Sequence, residues 1–221
     1  MKYPQKLLAK VKERSQGMRL EGLNEGAGPL YPALMVVGEA PGRNEIETNI
    51  PFNGSSGKEL MKSLALLGLS REDVYITSVV RSRPYGKKMV FDKKLNKEVE
   101  KYPNRKPTKK EVLAHAPLFD YEIRQVQPKM IIVMGSTAIE RLLGSKYKIS
   151  KDHGKILENQ AILQLNEQGI GYQWSKEKYI IFLEYHPASV LYRRKLQSVI
   201  EQDWLQIQKY LENRENKKAE N

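Results

Sequence analysis

Cysteine is absent from this 221-residue chain, and its absence removes disulfides, thiolate nucleophiles and thiolate-held zinc or iron–sulfur sites together. Long apolar runs are missing too: none approaches the roughly 20 residues that a membrane span requires. The N-terminus has no signal-peptide core. There Lys2, Lys6, Lys10 and Lys12 alternate with Leu7, Leu8 and Val11 in the manner of an amphipathic helix. These absences point to a cytoplasmic protein that makes no use of a membrane, and no metal or other cofactor is expected. Acidic residues are in short supply, 26 against 38 lysines and arginines, for a formal net charge of +12. Solubility needs far less, so the excess points to a polyanionic partner, nucleic acid above all. A generally basic surface without such a partner is the plain alternative.

A chain of 221 residues can build one well-cored α/β domain and is short for two. Residues 1–211 are assigned to that domain, 85–105 to a lysine-dense insertion within it, and 212–221 to a polar, frayed tail. Short apolar runs alternate with helix-period segments, the pattern of a mainly parallel sheet flanked by helices. Residues 33–37, 74–80, 129–134 and 178–183 read as four buried strands. Leu60, Met61, Leu64 and Leu67 share one face of a helix over 56–67. Thr108 and Glu111 form a capping-box pattern, and Val112, Ala116, Phe119, Ile123 and Val126 follow at core-facing spacing. A short helix over 136–143 ends at Gly144, and the last helix carries Leu196, Ile200, Trp204, Ile207 and Leu211. Outside this alternation lie a Gly-rich loop, 16–31, and the insertion, which reads as a basic hairpin.

Three motifs stand at strand ends. Gly38-Glu39-Ala40-Pro41-Gly42 follows the first strand, continuing to Glu45 and Pro51-Phe52-Asn53-Gly54. A Gly/Pro-rich turn at the carboxyl end of a central strand is where open α/β sheets bind ligands; it also serves as an ordinary tight connection. His186-Pro187-Ala188-Ser189-Val190-Leu191 follows the fourth strand and holds one of only three histidines. The two strand ends converge on one sheet edge, which favours a shared site over a histidine bonded to local backbone. Tyr75–Pro84 forms the second strand and its exit, where Arg81 and Arg83 could pair with phosphates or simply be solvated.

Taken in order, these segments resemble the four-cysteine iron–sulfur type of the uracil-DNA glycosylase superfamily. Gly38–Gly42 with Glu45, Pro51-Phe52 and Gly54 is similar to that family's first signature, Tyr75–Pro84 to its second-strand segment, and His186–Leu191 to its His-Pro-Ala-Ala-Val-Leu signature. Asn104-Arg105 and Pro107-Thr108 match the pairs before its next helix. The departures are specific. The four cysteines fall on Ser15, Met18, Ser82 and His115, and the asparagine that reads the base edge falls on Ser78.

The resemblance implies a three-layer α/β/α sandwich with a short, mainly parallel four-stranded sheet. It implies a monomer that excises uracil or a related deaminated base from single- or double-stranded DNA, flipping the nucleotide into a pocket. Phe52 would stack on the base, and His186 would donate to a base carbonyl as charge develops there. Glu39 and Glu45 would bind the water nucleophile or stabilise the cationic sugar. Gly38, Ala40, Pro41 and Gly42 would line the pocket, Ser78 would face the base edge, and Asn53 would bring an amide nearby. Val190, Leu191 or Tyr192 would wedge into the base stack, with Arg81, Arg83, Arg193, Arg194 and Lys195 on phosphates. Two other readings stay open: a DNA-binding module without catalysis, and an unrelated α/β enzyme acting on a small phosphorylated substrate.

Overall fold

The computed structural model of the chain describes residues 1–219. In chain order its elements are α1 (Gln5–Arg14), β1 (Leu20–Glu21), β2 (Leu34–Gly38), α2 (Arg43–Thr48), α3 (Ser55–Leu66), β3 (Tyr75–Ser78) and β4 (Arg83–Pro84). There follow β5 (Lys88–Asp92), β6 (Lys97–Lys101), α4 (Lys109–Val126), β7 (Met130–Met134), α5 (Ser136–Leu143) and α6 (Ile149–Asp152). The chain ends with β8 (Ile156–Gln160), β9 (Leu163–Leu165), β10 (Tyr172–Trp174), β11 (Tyr179–Glu184), α7 (Ala188–Tyr192) and α8 (Leu196–Ala219).

The central sheet runs in the order β3-β2-β7-β11-β8, with the first four strands parallel and β8 antiparallel to β11. The four parallel strands are the four expected. The fifth is a correction: Ile156–Gln160 is an edge strand only half covered, so its sequence lacks the continuous apolar run that marks its neighbours. Strand residues alternate between two apolar layers. Met35, Val37, Ile131, Val133, Ile181 and Leu183 pack with Val112, Phe119 and Ile123 of α4 and Ile139 and Leu142 of α5. Leu34, Val36, Ile76, Ile132 and Phe182 pack on the other side with Leu60 and Leu64 of α3 and Ile200, Trp204 and Ile207 of α8. This is the three-layer α/β/α arrangement that the resemblance implies, with each apolar strand face meeting a helix stripe.

The capping box of α4 forms as the spacing predicts: Glu111 N–H donates to Thr108 Oγ1 at 3.3 Å, and Thr108 N–H donates back to the Glu111 carboxylate at 2.7 Å. The segment 85–105 is a hairpin of β5 and β6. The polar tail departs from expectation, since α8 continues through it to Ala219; residues 220 and 221 lie outside the described residues. Side-chain pairs one turn apart support that extension, Gln208 donating to Glu212 at 3.0 Å and Arg214 to Tyr210 at 3.3 Å. Among the described residues no helix is long and apolar enough to cross a membrane.

Candidate active site

The strand order reverses between β2 and β7, since the chain moves to one side for β3 and to the other for β11. Loops leaving two such strands diverge and open a crevice at their carboxyl ends. A cleft of about 730 Å³ lies there. It is walled by Glu39–Glu45, by Phe52 and Gly54–Ser56, by Ser78, by Asn104–Lys106, by Gly135 and Ser136, and by Tyr185, His186 and the start of α7. The two motif-bearing strand ends thus share one cavity.

His186 and Phe52 form its apolar flank, with ring centroids 5.7 Å apart and planes tilted by 30°. Burial pushes the His186 imidazole down to about 4, so the ring is neutral at pH 7. Its tautomer follows from the turn: Ala188 N–H donates to Nδ1 at 3.2 Å, which leaves the proton on Nε2. Phe52 sits in the left-handed region at φ 54°, a conformation costing about 1–3 kcal/mol for such a residue. Arg71 holds it there, donating to the carbonyls of Pro51 at 2.6 Å and Phe52 at 2.8 Å. Gly57 is required beside it, because a Cβ at that position would collide with the Phe52 carbonyl. Gly38 does not line the cleft. It backs the Phe52 ring, which a Cβ at Gly38 would approach to 2.5 Å.

The carboxylates divide into two kinds. Glu39, half-buried on the cleft wall, accepts a hydrogen bond from Thr137 Oγ1 of α5. Glu45 is buried and accepts from Gly42 N–H at 3.0 Å and from Gly54 N–H at 3.1 Å, one on each oxygen. It ties the two cleft loops together while lining the cleft, and each oxygen keeps a lone pair for a further donor. Asn104 is absent from the residues expected at the site, although it belongs to the Asn104-Arg105 pair. Its Oδ1 accepts from Arg83 Nε at 2.5 Å, and its Nδ2 lies 2.9 Å from where a Gly42 Cβ would stand. The amide is thus fixed by one end and presents N–H donors to the Gly42 turn. Lys106 reaches across the rim to Ser136 Oγ at 3.3 Å. Behind His186, Glu184 is buried with Oε1 accepting from Tyr185 N–H at 2.6 Å; burial, with the charge of Asp203 added, pushes its carboxyl well above the usual range.

Several expected interactions do not form. Arg81 is 1 % exposed and pairs with Glu122, whose carboxylate also accepts from Tyr3 at 2.9 Å and from Tyr75 and Thr77 at 2.7 Å. Arg83 is 2 % exposed and bonds Glu21, Asn104 and the Tyr102 carbonyl. Neither guanidinium reaches solvent, so neither can meet a phosphate. Asn53 is exposed outside the cleft and donates to Thr48 Oγ1 at 3.1 Å. Val190 packs into the core beside Ile200 and Trp204, so it cannot wedge into DNA, whereas Leu191 and Tyr192 stand exposed on the cleft. Arg193, Arg194 and Lys195 are exposed just beyond.

A mainly parallel α/β sheet carries a cleft at its switch point, flanked by Phe52 and His186 and bordered by Glu39, Glu45 and Asn104. The profile of the uracil DNA glycosylase superfamily matches residues 25–208, and the chain belongs to that superfamily. Among curated proteins it is similar to the type-4 uracil-DNA glycosylase of Sulfurisphaera tokodaii, 32% identical across 83% of this chain and 73% of the relative. The type-4 uracil-DNA glycosylase of Archaeoglobus fulgidus is 34% identical across 82% and 78%, and that of Thermotoga maritima 33% across 60% and 61%.

The cysteine positions of the four-cysteine type do not fit an iron–sulfur cluster here. Ser82 Oγ donates to the Gly22 carbonyl at 2.6 Å, and His115 Nδ1 accepts from Arg81 N–H at 3.2 Å, with burial pushing that imidazole down to about 3. Ser15 and Met18 complete the set, and none of the four offers a thiolate.

Proposed function

We propose that this chain is a uracil-DNA glycosylase that hydrolyses the N-glycosidic bond of uracil in DNA, the first step of base excision. The observation that carries the reading is the neutral His186, half-buried in the cleft, with its Nε2 proton beside Phe52. A flipped pyrimidine stacked on Phe52 brings a carbonyl oxygen to that donor. As the bond from C1′ to nitrogen breaks, its electron pair goes to the base, and the Nε2–H stabilises the resulting anion. A neutral donor suits this step because it stays protonated across the physiological range. Water adds to C1′ and releases a proton, and the base leaves as an anion. Glu39 faces the cationic sugar, and the Asn104 amide, held by Arg83 beside the Gly42 turn, holds the water. Leu191 or Tyr192 fills the gap left by the flipped nucleotide, with Arg193, Arg194 and Lys195 on the flanking phosphates. Ser78 offers a short rotating hydroxyl to the base edge, which favours relaxed selectivity toward related deaminated bases. The protein acts as a monomer in the cytoplasm.

A labelled uracil-containing oligonucleotide, incubated with protein, treated with alkali and resolved on a gel, tests the reading. Strand cleavage is expected with wild type, and His186→Ala should lower turnover by about 10²–10³ while DNA binding is kept. DNA binding without base release by the wild type would favour the binding module, a reading that Ser78 in the pocket wall supports.

A further inference from the structure

The β5–β6 ribbon leaves and rejoins the body at the cleft rim. Tyr85 bridges to Asn104, Gly86 N–H donates to the Pro103 carbonyl at 2.8 Å, and Arg105 Nε donates to the Tyr85 carbonyl at 3.0 Å. Asn104 and Arg105 themselves line the cleft. No residue of either strand belongs to the hydrophobic core clusters, so the register between the strands decides what each face presents.

That register pairs Lys88 with Lys101, Met89 with Glu100, Val90 with Val99, Phe91 with Glu98, and Asp92 with Lys97. Side chains alternate along a strand and paired residues share a face. One face therefore carries Lys88, Lys97 and Lys101 around Val90 and Val99, together with Asp92. The opposite face carries Met89, Phe91, Glu98 and Glu100. The acids are sorted by the same register. Glu100 is held on its own face by Lys87 at 2.5 Å and by Tyr102. Asp92 is turned to the tip, accepting from the N–H groups of Lys94 at 2.9 Å and Leu95 at 3.2 Å. Lys88, Lys97 and Lys101 are exposed, and among the described residues none of them forms an ion pair.

We propose that this lysine face is a DNA-backbone track that continues the cleft rim and meets the phosphates of the duplex flanking the target nucleotide. The proposal rests on reading the cleft as a site that acts on DNA. Its dimensions suit the partner. From Lys97 to Lys101 the strand spans roughly 13 Å, against about 3.4 Å of axial rise per phosphate along one strand. The valines between the lysines are small, so a sugar–phosphate chain can approach closely. A two-stranded ribbon is also of a width that the major groove admits. Lys93 and Lys94 extend the positive charge to the tip. Lys87 belongs to the other face and is engaged by Glu100, so it lies outside the track.

Fluorescence anisotropy at a series of salt concentrations tests this, on a uracil-containing duplex and on the same duplex without uracil. The proteins are wild type, Lys87→Ala, the triple Lys88→Ala/Lys97→Ala/Lys101→Ala, and the corresponding triple with Gln. Both triples should flatten the slope of log K against log salt by about 2–3, close to 0.9 for each phosphate that is no longer neutralised, on both duplexes. Lys87→Ala should leave the slope at its wild-type value. An unchanged slope in both triples overturns the track, and so does a Lys87→Ala effect equal to one third of the triple's. Base release measured alongside separates the two ideas. Normal release with an unchanged slope sinks the track alone, while no release with a flattened slope sinks the glycosylase and keeps the track.

Discussion

Burial holds the His186 ring neutral, and the Ala188 N–H on Nδ1 makes that neutrality part of the turn geometry. Protonation at Nδ1 would set two donors against each other. The sign of the pH effect follows. The folded value is lowered from 6.5 to about 4, so the folded protein binds fewer protons than the unfolded chain between those limits. The stability this ring contributes is complete above pH 6.5 and is lost as pH falls toward 4. Melting temperature measured over that window should fall less in His186→Gln than in wild type, and equal slopes would remove the assignment. Gly38 offers a second test at this scale. A methyl there meets the Phe52 ring at 2.5 Å, while the strand backbone at Gly38 is ordinary extended structure. Gly38→Ala should therefore displace the stacking ring, raising KM or lowering kcat at least several-fold while circular dichroism stays unchanged. Wild-type kinetics in that variant would mean that Phe52 does not touch the base.

At the level of elements, α4 is the brace on which the site rests. Thr108 caps it, Glu111 answers the cap and also binds Arg105 at 2.6 Å, and Arg105 in turn anchors the base of the ribbon. Removing the cap hydroxyl frees one N–H at the helix start, and Thr108→Ala should cost about 1 kcal/mol by chemical denaturation. Because the same helix start fixes Arg105 beside the cleft, that variant should also lose some affinity for DNA. A loss of stability with no loss of affinity would confine the cap to the helix. These local features were legible beforehand, since caps, apolar stripes and turns at strand ends are written in residues a few positions apart. The ribbon was legible as a hairpin for the same reason. Which lysines share a face was not, because that depends on the pairing of β5 with β6.

For the whole molecule, Glu122 is the point where layers meet. It draws Tyr3 from the N-terminal segment, Tyr75 and Thr77 from β3, and Arg81 from the strand exit into one buried polar knot. The Gly-rich segment that a metal cluster cannot staple here is held by similar means. Asn24 N–H donates to the Arg81 carbonyl at 2.7 Å, Asn24 Nδ2 to the Glu45 carbonyl at 3.0 Å, and Ser82 Oγ to the Gly22 carbonyl. Breaking a buried pair leaves an uncompensated charge, so Glu122→Ala should destabilise the protein by about 3–5 kcal/mol. Added iron should restore none of it, because the four cluster positions hold no thiolate. A stability loss under about 1 kcal/mol would show that the knot is incidental.

The sequence by itself determined the four parallel strands, the helices that flank them and the meeting of two motifs at one sheet edge. Apolar periodicity and strand–helix alternation leave few other ways to bury those faces. Only the tertiary structure decided which polar side chains turn inward. Arg81 and Arg83 read as phosphate ligands until Glu122 and Glu21, remote in the chain, claim them. Glu45 reads as a catalytic carboxylate, and the fold adds that the amides of Gly42 and Gly54 hold it between two cleft loops, while Asn53 reads as a base reader until Thr48 takes its amide. Asn104 showed only as half of a matched pair until Arg83 fixed its amide at the cleft. A charged or amide group is directed by whichever partner satisfies it at the lowest desolvation cost, and that partner is chosen by the fold rather than by the neighbouring residues.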